Sequence, residues 1–409
     1  MKEFFKVTDL PTVLRYAPLF KPVAAEEVPL NQAFERILAA DIVADIDLPD
    51  FPKSTMDGYA VRASATFGAT EGNPAYLNII GSIDMGETPN FSIGSGQAAR
   101  ISTGGMLPDG ADSVVMIEHS ERLDDTSIEV YRSVAPGQNT LELGEDIQKG
   151  AFLLSSGQRL RPQEAGLLAA LGHSSVGVYK KPTIGIISTG DEVVPMDVKP
   201  APGQIRDINT YTLSGLVSKA GAIPISYGIV KDDIDDLFEK CHLAHSQTDM
   251  VLISGGSSVG TRDFTVEVIS AMADSRILVH GISISPGKPT ILAESQNKSV
   301  WGLPGHVVSA MIVFYVVVSP FIEHISGLSP GGNKSIKLPA ILNRNISSAQ
   351  GRTDFIRVRL IDRNGQLNAE PILGKSGLIH TMLQADGLIE IGINTEGLDK
   401  GTVVDVMLL

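Results

Sequence analysis

The chain has 409 residues, 43% of them hydrophobic, and its 33 Lys plus Arg against 47 Asp plus Glu leave a formal charge of −14. At about 150 residues per domain this length gives two to four domains with ample apolar surface for their cores, which excludes a disordered chain. The acidic balance excludes general affinity for nucleic acid or an anionic membrane, both of which need clustered Lys and Arg, so an anionic ligand has to be held locally.

Met1 to Lys21 mixes Lys2, Glu3, Lys6, Asp9 and Arg15 with apolar residues, unlike the unbroken apolar core of a signal peptide, and is expected to be folded. Residues 1–51 and 147–180 carry helical pieces, Gln163 to Leu171 among them, and are expected to pack together as one elongated domain. Between them, residues 52–146 hold short alternating runs at Ala75–Ile80, Ala98–Ile101, Ser113–Ile117 and Ser127–Tyr131, broken by Gly, Pro, Asn and Asp. That pattern predicts an inserted antiparallel β module.

From 181 to 327 the pattern alternates. Apolar Ile184–Ile187 is followed by Leu213, Leu216, Val217 and Ala220 at helical spacing, with Gly221 as a stop. Ile223–Ile229 then leads to Ile234, Leu237, Phe238 and Cys241 on one helical face, and Met250–Ile253 runs into Ser254-Gly255-Gly256. Such βαβ alternation predicts a parallel sheet covered by helices, with ligands at the carboxyl ends of its strands. Cys241 is the one cysteine, which excludes a disulfide framework and fits a reducing compartment, the cytoplasm being the expectation. Val307–Ile322 is the most apolar stretch, but Ser309, Ser319 and Pro320 interrupt it, and it reads as a buried helix rather than a membrane span. After the turn at Ser329-Pro330-Gly331-Gly332, residues 328–409 carry strands at Phe355–Leu360 and Leu388–Ile393 and are expected to form a small β barrel.

Five glycine-bearing turns punctuate these elements: Ser102–Gly105, Ser188–Glu192, Ser254–Gly260, Pro286–Pro289 and Gly302–Gly305. Glycine lets backbone N–H groups converge on an anion, which suits phosphate, although any one of these is equally compatible with a plain tight turn. Neither GxGxxG nor a complete Walker motif is present. Carboxylates recur beside the turns, at Asp57, Asp146, Asp191, Glu192, Asp232 and Asp263. Near a polyphosphate they suit Mg²⁺, which takes oxygen ligands from one or two carboxylates, water and phosphate. Taken singly, Asp57 reads equally as an Asx turn, Asp263 as a helix cap, Asp232 and Asp233 as support for a helix start, and Asn209 as an N-cap.

Taken in order, Met56-Asp57-Gly58-Tyr59-Ala60-Val61, Thr103-Gly104-Gly105-Met106-Leu107-Pro108, Gly144-Glu145-Asp146-Ile147, Ser188-Thr189-Gly190-Asp191-Glu192, Gly203-Gln204-Ile205-Arg206-Asp207-Ile208-Asn209, Gly255 to Gly260, Pro286-Gly287-Lys288-Pro289 and Gly302-Leu303-Pro304-Gly305 resemble the MoeA and gephyrin E-domain family of molybdopterin molybdenumtransferases. The resemblance covers nearly the whole chain. It implies an elongated homodimer, and insertion of molybdate or tungstate into adenylylated molybdopterin with release of AMP, assisted by Mg²⁺. By the same resemblance Asp57, Thr103, Asp146, Glu192, Asp232 and Asp263 match functional positions. Glu192 and Asp263 are expected at Mg²⁺, and Asp57 and Thr103 near the pyrophosphate. Ser188, Gly190, Asp191, Gly255, Gly256, Ser257, Ser258, Gly260, Lys288, Pro304 and His306 are expected to bind substrate, with Arg352, Arg357 and Ser376 near the oxyanion.

The chain departs from the family pattern before its Pro-Gly-Lys-Pro turn, where Gly281 and Ser285 stand in place of lysines. A second departure is His306-Val307 in place of Asn-Pro, which leaves the choice of oxyanion open. His306 reads either as a ligand-facing proton donor or as a solvated histidine at a helix start. A scaffold of the gephyrin type and an adenylyltransferase of molybdopterin are the alternative readings.

Overall fold

The computed structural model describes residues 7–255, 264–331 and 336–409. The chain forms two compact units: Met1–Ala40, Ser156–Arg161 and Ser175–Leu409 in one, Asp41–Ser155 and Pro162–Ser174 in the other.

In the larger unit a six-stranded sheet is built from β1 (Thr183–Thr189), β2 (Ile223–Val230), β3 (Met250–Ser254), β4 (Arg276–His280), β5 (Ile291–Ser295) and β6 (Lys298–Leu303), in spatial order 2-1-3-6-5-4. Strands 2, 1, 3 and 6 are parallel, whereas β5 is antiparallel to both of its neighbours, so the sheet is mixed rather than wholly parallel. The cause is local: β5 and β6 are joined by Gln296-Asn297, both at positive φ, the two-residue hairpin turn that reverses the chain at once.

Pleating sends Ile184, Ile186 and Leu252 into one apolar cluster and Ile187, Val251 and Ile253 into another. The first face is covered by α1 (Asn209–Lys219), which contributes Leu213, Leu216 and Val217 and ends before Gly221 at φ 86°. The second is covered by α2 (Ile234–Gln247), through Leu237, Cys241 and Ala244, and by α3 (Phe264–Ala271).

The apolar stretch after β6 is a single helical run, Val307–Ile325, of 19 residues and two-thirds buried. It begins as α4 (Val307–Val313), widens into a π-turn at Phe314–Val318 and continues as Ser319–Ile325. The wider turn precedes Pro320, whose missing N–H breaks the ordinary ladder, and so the helix runs three residues beyond the predicted end. Phe321 from this helix packs edge-on against Trp301 of β6 at 4.9 Å and 89°, which makes it a core helix.

Strands β7 (Lys337–Leu342), β8 (Thr353–Arg363), β9 (Gln366–Pro371), β10 (Gly387–Ile391) and β11 (Val403–Leu408) pair in the cycle 8-9-7-11-10-8, a closed five-stranded barrel. Val358, Ala369, Ile389 and Val406 fill its interior.

The smaller unit carries a second six-stranded sheet, whose strands include Gly58–Val61, Ala75–Ile83, Gln97–Ile101, Ser113–Met116 and Ser127–Val130. One of its pairs, Ala75–Ile83 with Gln97–Ile101, is parallel, so this module is not antiparallel throughout. The long connection over 84–96 returns the chain to its starting edge and lets the second strand run the same way.

Candidate active site

Chain order fixes where a ligand can enter the mixed sheet. From β1 the chain goes to β2 on one side and then to β3 on the other, so the two crossovers part at the carboxyl ends of β1 and β3, where open α/β sheets form their crevices. There Ser188, Ser254 and Leu303 lie in register across β1, β3 and β6. A cleft of about 920 Å³ opens at that point, walled by Ser188, Glu192, Arg206, Asp207, Asn209, Gly255, Lys288, Pro304, His306, Arg352 and Ser376.

Hydrogen bonds hold the floor of the cleft. Asp207, 8% exposed, accepts from the Ser188 hydroxyl at 3.2 Å and from the Thr210 N–H at 3.1 Å, and thereby caps α1. The predicted cap, Asn209, is thus freed to turn inward. Its Nδ2 donates to Ser254 Oγ at 2.6 Å and to the Gly305 carbonyl at 2.8 Å, and its buried Oδ1 has no partner among the described residues. Gly255, at φ 114°, lies so close to β1 that a Cβ would stand 2.1 Å from the Thr189 carbonyl oxygen, and only glycine fits.

Beside the cleft, Thr189 Oγ1 donates to Asp232 Oδ1 at 3.1 Å, and the Asp232 N–H donates to Asp191 Oδ1 at 3.2 Å. Asp233, as expected, caps α2 through the Asp236 N–H at 3.0 Å. Gly190 sits beneath the Glu192 carboxylate, and Glu192 itself is exposed on the cleft wall.

The barrel supplies the opposite rim. Arg352 pairs with Asp354 at 2.9 Å, and Asp354 also accepts from Ser348 at 2.7 Å. Ser376 contacts His306 Nδ1 through its hydroxyl at 2.8 Å, and its carbonyl accepts from the Val308 N–H at 3.1 Å. Arg357 does not line the cleft. Its buried guanidinium reaches Thr381 Oγ1 and, at 2.8 Å, the Gly374 carbonyl, bracing the loop that carries Ser376. Burial lowers the pKa of that guanidinium. Lys288 and Arg206 have no ion-pair or hydrogen-bonding partner for their side chains among the described residues, which leaves two cations of the cleft free for an anion.

Apart from Arg357, the expected residues fall into three groups. Ser188, Glu192, Gly255, Lys288, Pro304, His306, Arg352 and Ser376 share one cleft, with Gly190, Asp191 and Asp232 beside it. Asp57, Thr103 and Asp146 belong to the smaller unit, where the Thr103 N–H donates to Asp57 Oδ1 at 2.7 Å and the exposed Asp146 hangs on the Leu48 carbonyl by its N–H at 3.0 Å. Gly256, Ser257, Ser258, Gly260 and Asp263 lie outside the described residues. Arg206, Asp207, Asn209 and Ser254 were not among the expected site residues. The Gly203–Asn209 motif was the available signal, because it lies between a strand end and a helix start.

Comparison with known proteins identifies this architecture. A model of the MoeA N-terminal region matches residues 8–172, a probable molybdopterin-binding domain matches 185–324, and the MoeA C-terminal region matches 339–409. The molybdopterin molybdenumtransferase of Bacillus subtilis is 33% identical over 411 residues, covering 99% of this chain and 95% of that one. The chain belongs to the MoeA family. The molybdopterin molybdenumtransferase of Haemophilus influenzae is 36% identical over 353 residues, 86% of this chain and 85% of that one. The crystal structure of the MoeA molybdopterin biosynthesis protein of Pyrococcus horikoshii matches with a TM-score of 0.86 at 33% identity, covering 99% of this chain and 100% of that one. The MoeA resemblance read from the motifs thus holds along the chain, and so does its arrangement of an α/β domain, a β-rich module and a terminal β barrel.

Proposed function

We propose that this MoeA-family protein is a molybdopterin molybdenumtransferase of molybdenum cofactor biosynthesis, taking adenylylated molybdopterin and molybdate or tungstate and releasing AMP. The observation that carries this reading is the cleft, whose small-residue turns at Ser188, Ser254-Gly255 and Pro304-Gly305 meet two cations, Arg206 and Lys288, that have no partner among the described residues of an otherwise acidic chain. Isolated cations suit a polyanion that carries a pyrophosphate and receives an oxyanion. The reaction balances without a redox partner. Two sulfur–metal bonds form as one oxo ligand leaves with the thiol protons as water, and water cleaves the phosphoanhydride, leaving a phosphate on the pterin and AMP free.

The donor set fits Mg²⁺. The cleft wall offers the exposed Glu192 carboxylate, a hard oxygen donor, and this ion ordinarily takes only one or two carboxylates beside water and phosphate. Glu192 would hold the ion together with Asp263, and the bound ion would offset charge on the phosphates. The chain's own residues do the rest: Lys288 and Arg206 draw in the anion, Asn209 keeps the strand-end turns together, and Ser376 and Arg352 line the opposite rim from the barrel. Following the family resemblance, we assign the working form as a cytoplasmic homodimer.

One assay tests the reading. Purified protein is incubated with adenylylated molybdopterin, Mg²⁺ and either oxyanion, and both AMP release and formation of the metal–pterin product are followed. Oxyanion-dependent AMP release is expected. Consumption of ATP with unmodified molybdopterin would indicate an adenylyltransferase, and neither activity would leave a binding role of the scaffold kind. Comparing the rates with molybdate and tungstate decides which metal is preferred.

A further inference from the structure

The contact between His306 and Ser376 joins the helix start after β6 to the barrel loop, and both residues line the cleft. The loop is fixed independently of that contact, by the Val308 N–H on the Ser376 carbonyl and by buried Arg357 on Gly374. His306 Nδ1 therefore meets a hydroxyl carried on an anchored stretch of backbone.

A hydroxyl carries one proton, and its direction matters. When the ring is neutral and Nδ1 accepts from Ser376, the hydroxyl proton is used up and Ser376 turns only lone pairs toward the cleft, which repel an anion. When the neutral ring carries its proton on Nδ1 instead, the hydroxyl is released but Nε2 becomes an acceptor. Only the imidazolium donates from Nδ1 to Ser376 Oγ while leaving both the Ser376 O–H and Nε2–H, which has no partner among the described residues, as donors.

We propose that His306 is a specificity-determining residue of the oxyanion end of the cleft, and that its protonation converts His306 and Ser376 together into a pair of donors for a tetrahedral dianion. This deepens the reading of the cleft given above and rests on it. Among the described residues the charged groups in the cleft or on the same loop are Arg206, Lys288, Arg352 and Lys375 against Glu192 and Asp207, of which Arg352 is already paired with Asp354. An incoming dianion favours the imidazolium over the neutral ring, so anion binding and protonation of His306 are linked and each strengthens the other.

Calorimetry of the full chain with molybdate, and separately tungstate, in buffers of different ionisation enthalpy counts protons taken up per anion bound. The expected result is net proton uptake on binding and an affinity that falls as pH rises from 6.5 to 8.5, by at most about tenfold per pH unit for one linked proton. His306→Asn is expected to bind with no uptake and a flat pH profile, and Ser376→Ala to bind more weakly at low pH. Absence of proton uptake in the unaltered protein, the same uptake in His306→Asn, or no oxyanion binding overturns the proposal. The unaltered protein's buffer dependence decides the matter even if a variant fails to fold. Because this readout is binding, failure of the AMP assay with proton-linked binding intact would count against the proposed function alone.

Discussion

Both the strand ends of the α/β sheet and the rim of the barrel face the cleft, but they are held in position differently. At β1, β3 and β6 the backbone itself makes the surface. Gly255 leaves no room for a side chain against Thr189, and Asn209 ties Ser254 to Gly305. At the barrel rim side chains do the holding, through Arg357 beneath Gly374 and Thr381 and through Asp354 between Arg352 and Ser348. The contrast implies that a side chain added to the strand-end backbone damages fold and function together, whereas side-chain substitutions elsewhere around the cleft leave the chain folded and act chiefly on the ligand.

Gly255→Ala is the severest way to test that contrast. A Cβ there meets a backbone carbonyl, and the positive φ adds strain, so a loss on the order of 3 kcal/mol of stability is expected along with loss of turnover. Denaturant midpoints compared with AMP release check both. Near-normal stability would mean that the β1–β3 junction is looser than its geometry indicates. Glu192→Ala is next. This exposed side chain carries no fold, so stability should stay within about 0.5 kcal/mol while oxyanion-dependent turnover disappears. Unchanged turnover would remove Glu192 from the metal site.

The same contrast accounts for what the sequence made legible. Strand and helix identities in the α/β domain follow from short-range periodicity at Ile184–Ile187 and Leu213–Ala220, and the turns followed from glycine. The closed barrel followed from turn signals and strand runs alone. The antiparallel edge was hidden, because nothing apolar separates β5 from β6; only two residues at positive φ mark the reversal. In the cleft, most residues embedded in glycine turns were found, whereas Asp207, which had been given no role, takes the helix-start N–H that Asn209 was expected to serve. Which of two neighbouring polar residues caps a helix depends on tertiary partners, here Ser188, Ser254 and Gly305, which lie far along the chain.

Arg357→Met is the corresponding test on the rim. It removes a buried guanidinium and leaves the Gly374 carbonyl without that donor, at a cost of about 2 kcal/mol. The Ser376 loop loosens, so the KM for oxyanion should rise several-fold with kcat little changed. A pure loss of kcat would show instead that the loop acts on the reacting groups. A smaller effect is expected at His245 on α2, which donates to the Ser295 carbonyl and whose pKa is lowered mainly by burial. The folded protein then binds fewer protons there than the unfolded chain, whose imidazole titrates near 6.5. Stability is therefore full above that pH and falls as pH drops below it. Melting temperatures between pH 7.5 and 5.5 should decline less in His245→Gln than in the unaltered protein.

The last test expects no reaction. Cys241 lies on the buried face of α2, within the cluster formed by Leu237, Ala244, Val251 and Ile253, and burial pushes its thiol up to about 12. At pH 8 the thiolate fraction is then roughly one in ten thousand, and the thiolate is the species that alkylates. Native protein should stay unmodified by iodoacetamide, and the labelling rate should rise only with the global unfolding transition. Rapid labelling without denaturant would mean that α2 opens separately from β1 and β3. In that event the strand-end half of the cleft could not be its rigid member, and the division of labour between backbone and side chains would have to be reversed.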